Sequence, residues 1–180
     1  MRLRHAILGV AAITALGACV PASGETKAPA AAAAAPAPVA TGIEAFRGSW
    51  VGASQGEGDT RRAAALVIDA SADGGLFLRW RSAEGPRDGE ANDDQLKMRE
   101  NTALFAPGKT PNVWTARLDS GAQAKARLEG SVLITELTAK SEVQTYRRTL
   151  TAPGKLSLHY TRTVGGKVET TIDADFVKLP

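Results

Sequence analysis

From Gly42 to the C-terminus the chain is built of short runs in which apolar residues occupy every second position, and this period-two pattern constrains the fold more than any other feature. Leu66 and Ile68 alternate with Val67 and Asp69; Leu76, Leu78 and Trp80 alternate with Phe77, Arg79 and Arg81. Leu96 and Met98 alternate with Lys97 and Arg99, and Ala126 and Leu128 with Arg127 and Glu129. Leu156, Leu158 and Tyr160 oppose Ser157, His159 and Thr161, while Val168, Ile172 and Phe176 oppose Glu169, Thr171, Asp173 and Asp175. Successive side chains of a strand point to opposite faces, so each run predicts a strand with one face buried and one wet. The breaks carry turn chemistry: Asp73-Gly74-Gly75, Ala152-Pro153-Gly154 and Gly165-Gly166. No window after residue 45 has the pattern of a long amphipathic helix. The expectation is an all-β domain, an antiparallel meander of about 8–10 strands. Closure into a barrel removes both sheet edges, and a two-sheet sandwich is the alternative.

At the start of this region, Gly48-Ser49-Trp50 resembles the Gly-x-Trp signature that opens the first strand of lipocalins and related calycin barrels. In that family the Trp plugs one end of the barrel and an Arg from a late strand stacks across it. The resemblance implies that Trp50 is the plug. It makes Arg162, which follows Leu156, Leu158 and Tyr160 on the inward face, the candidate partner, for a contact of about 0.5–2 kcal/mol. Periplasmic protease-inhibitor barrels, some of them lipoproteins, are a second family with a similar tethered layout. Those barrels carry a disulfide, and this domain has no cysteine.

Upstream the composition changes. Glu25 to Ala40 is an Ala/Pro tract in which Ala30 to Ala35 lies between Pro29, Pro36 and Pro38. Alanine favours helix, but a run this short bracketed by prolines does not sustain one, so an extended spacer is expected. Before it, Arg2, Arg4 and His5 precede an uncharged apolar run from Ala6 to Leu16 and the small residues Gly17 and Ala18. That run is shorter than the ~20 residues a membrane-spanning helix needs, so it reads as a targeting segment. Leu16-Gly17-Ala18-Cys19 resembles the lipobox of bacterial lipoproteins, with Gly17 where Ala or Ser is usual. The resemblance implies acylation of Cys19, cleavage before it, and, with Val20 rather than Asp next in line, sorting to the outer membrane facing the periplasm. Ordinary signal-peptide cleavage after Val20-Pro21-Ala22, giving a soluble periplasmic protein, is the alternative. The expected organisation is a signal peptide over 1–18, a lipid-anchored linker over 19–42 and a β-barrel domain over 43–180.

The charge balance excludes one class of partner. Removing Arg2 and Arg4 from the 22 basic residues leaves 20 against 19 acidic ones, a surplus of +1. A near-neutral domain has no electrostatic footprint for nucleic acid. Catalytic, cofactor and metal constellations are not expected either. His159 is the one histidine outside the leader and shares its face with Ser157 and Thr161; no Gly-x-Ser-x-Gly elbow supports a nucleophile. Asp173 and Asp175 sit two apart on one face, as outward barrel charges do. Glu90, Asp93 and Asp94 cluster without the spacing of a calcium-binding loop.

What remains is the interior. Trp50, Trp80, Trp114, Met98, Tyr160 and Phe176 fall on faces read as inward, as do the small residues Ala64, Ala116, Ala126 and Ala174. Aromatics packed together fill a small barrel; alanines facing one another leave volume that an apolar or amphipathic ligand can take. Arg148 shares a face with Tyr146 and Leu150, where it either pairs internally or meets a ligand carboxylate. The sequence therefore leaves two functions open. One is a non-enzymatic, membrane-tethered barrel binding a small apolar or amphipathic ligand; the other is a filled barrel whose surface meets an envelope protein.

Overall fold

The computed structural model describes residues 42–55, 60–86 and 96–180. Cys19, the Ala/Pro tract and the acidic cluster of Glu90, Asp93 and Asp94 lie outside the described residues. A single helical turn, α1 (Ile43–Phe46), leads into ten strands: β1 (Gly48–Gln55), β2 (Thr60–Ala70), β3 (Leu76–Pro86), β4 (Lys97–Pro107), β5 (Val113–Arg117), β6 (Gln123–Glu129), β7 (Val132–Ala139), β8 (Glu142–Ala152), β9 (Lys155–Val164) and β10 (Lys167–Lys178). Each strand pairs antiparallel with its neighbours in sequence, and β1 pairs with β10, so the meander closes into a barrel. Closure excludes the sandwich. The glycine turn between β9 and β10 shows why the residue type matters: Gly165 and Gly166 both have positive φ, 57° and 82°. A two-residue hairpin loop of that hand matches the twist of its strands and is strained for any residue with a Cβ.

The β1–β10 seam is tight. At Gly52 a Cβ would run into the Asp175 carbonyl oxygen and lie 2.8 Å from Phe176 Cγ, so only glycine lets the two strands meet in this register. The weak place in the wall is on the other side. Between β4 and β5 the pairing consists of Ala106 with Thr115 and Pro107 with Trp114. Among the described residues, the rest of the β4 edge from Lys97 to Phe105 has no strand beside it, which leaves a notch.

Core and hollow occupy different ends. Phe46, Ile68, Leu76, Leu78, Phe105 and Leu133 are fully buried around Trp50, which is 1% exposed. The Trp50 indole Nε1 donates to the Phe46 carbonyl oxygen at 2.9 Å, so α1 and the start of β1 together stopper this end. The opposite end stays open.

Two strand faces differ from the sequence expectation. Met98 is 56% exposed and pairs with Ala83 on the outer face, and Leu96 precedes the strand. The reason is parity. Ala103 and Phe105 are buried on β4, and with a side-chain period of two every odd-numbered residue of that strand faces inward. Lys97, Arg99 and Asn101 therefore take the inner positions opposite Glu84, Ser82 and Trp80. Val168 is 62% exposed, beyond a register shift between Val168 and Thr170; the inward face of β10 runs through Thr170, Ile172, Ala174 and Phe176.

Candidate functional site

The inner face of β8 reads from rim to plug as Glu142, Gln144, Tyr146, Arg148 and Leu150. Alternation puts all five on one line, and the polarity falls along it. At the rim, Arg162 Nη2 of β9 donates to Glu142 Oε2 at 2.8 Å, and its Nη1 donates to Glu169 at 3.2 Å. Gln144 Nε2 donates to Glu142 Oε1 at 2.6 Å, and the Tyr146 hydroxyl donates to Gln144 Oε1 at 3.0 Å. The Arg162 and Gln144 donors hold the Glu142 carboxyl down at about 2, so this clamp is ionised throughout the physiological range. Deeper, Tyr146 packs against Trp80 with ring centroids 5.7 Å apart and against Tyr160 at 4.8 Å. Burial, with Tyr160 adding to it, pushes the Tyr146 phenol up to about 12.

Arg148 lies below this aromatic cluster. It is 2% exposed, its Nη1 donates to the buried Thr135 hydroxyl at 2.9 Å, and its guanidinium lies 5.1 Å from the centre of the Tyr146 ring. Burial pushes it down to about 10, which still leaves it cationic at neutral pH. No carboxylate among the described residues pairs with it.

These groups line a hollow of about 880 Å³ in the open half of the barrel. Ala64, Leu66 and Ser82 form part of its wall, Leu158, Ile172 and Ala174 another part, and Phe176 the base. Strands β5, β6 and β7 contribute no lining residue; their inner side chains, Ala126 and Leu133 among them, pack into the core. The barrel is thus half packed and half open. The expectation of volume left by alanines applies to Ala64 and Ala174, not to Ala116 and Ala126.

The residues singled out from sequence separate accordingly. Trp80, Tyr160, Phe176, Arg148 and Arg162 line the hollow. Trp50 belongs to the stopper. Trp114 is 6% exposed, and its Nε1 donates to the Gly74 carbonyl oxygen at 2.9 Å, tying β5 to the β2–β3 turn. Met98 lies on the outer face of β4 and borders the hollow at its rim. Arg162 does not stack on Trp50: the strand pairing places it opposite Thr170, about 25 Å along β10 from the level of Trp50 at ~3.3 Å per residue. Lys178, the register partner of Trp50, takes that place with its Nζ 5.6 Å from the indole centroid.

Glu142, Gln144, Thr135 and Arg99 were not singled out from the sequence. Their signal is polarity at core parity, a buried or inward polar residue being more informative than any exposed one. On the outer wall, His159 Nδ1 is 2.7 Å from Asp173 Oδ1, and both side chains are exposed. No group of three or more His, Cys, Asp or Glu side chains is placed to hold a metal ion among the described residues.

No protein-family model and no curated relative matches the sequence. Solved structures do. An S-type phycobiliprotein lyase from Guillardia theta matches with a TM-score of 0.55 at 11% identity, covering 77% of this chain and 90% of that one. A protein of unknown function of the DUF3598 family from Nostoc punctiforme matches with a TM-score of 0.52 at 11% identity, over 77% of this chain and 49% of that one. A variant of the fluorescent protein UnaG is 14% identical over 77% of this chain and 99% of that one, at a TM-score of 0.41. The chain is a closed antiparallel barrel of ten strands whose structural neighbours are of lipocalin-like fold.

Proposed function

We propose that this protein is an exported, lipid-tethered carrier, without catalytic activity, whose barrel holds an amphipathic molecule with its acidic group at Arg148. One observation carries the reading: a buried guanidinium with no carboxylate partner among the described residues, at a hollow open to one end. A buried charge is costly unless paired, and a ligand carboxylate supplies the pairing that the chain withholds. The Trp80, Tyr146 and Tyr160 rings offer apolar surface to the rest of such a ligand. The filled-core alternative loses its support in the open half of the barrel.

Titrating the protein with decanoate and with decanol, and following tryptophan fluorescence, tests this directly. The acid is expected to saturate, and the alcohol to bind ~10–100-fold more weakly, the worth of a charge-assisted hydrogen bond. Equal affinity for acid and alcohol, or no saturable response to either, removes the reading. The address is tested separately. The lipobox-like Leu16-Gly17-Ala18-Cys19 supports acylation at Cys19 and placement in the bacterial outer membrane facing the periplasm. Cells fed a clickable fatty acid are expected to label the natural chain and not Cys19→Ser. Label that survives the substitution, or is absent from both, overturns the tether.

A further inference from the structure

Six cationic side chains border the hollow, Arg62, Lys97, Arg99, Arg148 and Arg162 from inner positions and Arg81 from the outer face of β3. Three are matched. Arg62 meets Glu84 at 2.6 Å, Arg81 meets Glu100 at 3.1 Å, and Arg162 holds Glu142 and Glu169. Lys97, Arg99 and Arg148 have no carboxylate partner among the described residues, and they are not scattered. Arg148 is deep on β8; Arg99 and Lys97 are on β4, at inner positions opposite Ser82 and Glu84 and nearer the rim. Arg99 lies within electrostatic reach of the Tyr146 and Tyr160 phenols, the same cluster that Arg148 touches from below. The aromatic cluster therefore has one unmatched guanidinium beneath it and another on its rim side.

We propose that Arg99 is a second anion-binding position, so that the ligand is an elongated molecule with two acidic groups, one at Arg148 and one at Arg99, and an apolar middle against Trp80, Tyr146 and Tyr160. This rests on the carrier reading and adds a ligand class to it. The asymmetry of the β4 face favours the assignment. Inward charges on a strand beside an unpaired edge also discourage edge-to-edge association, but one charge of either sign does that, and β4 uses two cations and no inward acid. A rim guanidinium that stays in contact with water is also cheap to keep unmatched until a ligand arrives, whereas a second buried one is not.

The test compares α,ω-dicarboxylic acids from octanedioate to hexadecanedioate, each against the monocarboxylic acid of equal length, on the natural chain, Arg99→Gln and Arg79→Gln. Arg79 is an outward residue of β3 paired with Glu100, so its replacement removes the same formal charge from outside the hollow. The natural chain and Arg79→Gln are expected to bind the diacid of the best-matched length about 10-fold more tightly than its monoacid. Arg99→Gln is expected to erase that preference. Monoacid binding with no diacid preference at any length overturns the second position and leaves the carrier standing. An equal loss of preference in Arg79→Gln and Arg99→Gln also overturns it, because general charge then explains the effect. Failure of both acid series to bind overturns the carrier itself.

Discussion

Replacing Arg148 by methionine, together with Thr135→Val so that no buried hydroxyl is orphaned, yields a barrel that is harder to unfold and poorer at holding an acid. The expected gain in stability is about 1–3 kcal/mol by urea unfolding. It follows from the sign of the perturbation at Arg148. Burial holds the guanidinium well below its ordinary value, at about 10, so the unfolded chain holds this proton more tightly than the fold does. The difference, about 3 kcal/mol, is a cost present at every pH below the folded value and relieved as pH rises above about 10 towards the guanidinium's ordinary value. The hydrogen bond from Arg148 to Thr135, lost in the same variant, is worth about 0.5–1.5 kcal/mol, which is why the net gain falls below the full amount. In the same variant the affinity for decanoate is expected to fall by ~30–200-fold, the loss of a charge-assisted hydrogen bond in a site shielded from water. The opposite signs are the diagnostic, because a residue kept for packing loses stability when replaced and one kept for a ligand does not. Lower stability with unchanged affinity returns Arg148 to the role of an internal partner.

Trp50→Ala is expected to remove about 3–5 kcal/mol, a large fraction of the ~5–15 kcal/mol available to a domain of this size. The indole is 1% exposed in the core cluster with Phe46 and Ile68. The substitution also leaves the Phe46 carbonyl without its donor and Lys178 without the ring it covers. Melting followed by circular dichroism is expected to drop by ~10–20 °C, against roughly half of that for Trp50→Phe, which keeps most of the volume and loses the hydrogen bond. The hollow lies at the other end of the barrel, so decanoate affinity read through Trp80 is expected to change little below the new transition. A small change in melting temperature contradicts the stopper. A large loss of affinity with the fold intact contradicts the division into packed and open halves.

Much of this architecture is written in the period-two runs. Leu66 and Ile68, Leu76 to Trp80, and Leu156 to Tyr160 face inward as alternation requires, and the glycine turns fall between strands. Strand β4 misleads because its apolar content is spread over both faces. Leu96, Met98 and Leu104 share a parity with one another, yet burial is decided by Phe105 and Ala103 near the packed end. Pairing of Trp50 with a late-strand cation was legible in kind, but choosing Lys178 over Arg162 needs the β1–β10 register, a long-range fact that no local pattern encodes. The polar lining was half legible. Arg148 stood out by sharing a face with Tyr146 and Leu150. The Glu142–Gln144–Tyr146 chain did not, since three polar side chains at alternate positions look the same on a wet face as on an inner rim.

The seam between β1 and β10 also dictates an order of events. A chain made from its N-terminus can form the β1–β2 hairpin early, but the other edge of β1 stays bare until Lys167–Lys178 has been made. Until then the growing sheet has two open edges, each a template for pairing with a neighbouring chain. The twelve residues of β10 therefore act as a clasp that converts an adhesive intermediate into a closed ring. Because that clasp joins the most distant parts of the domain, its closure is slow on the scale of local hairpins.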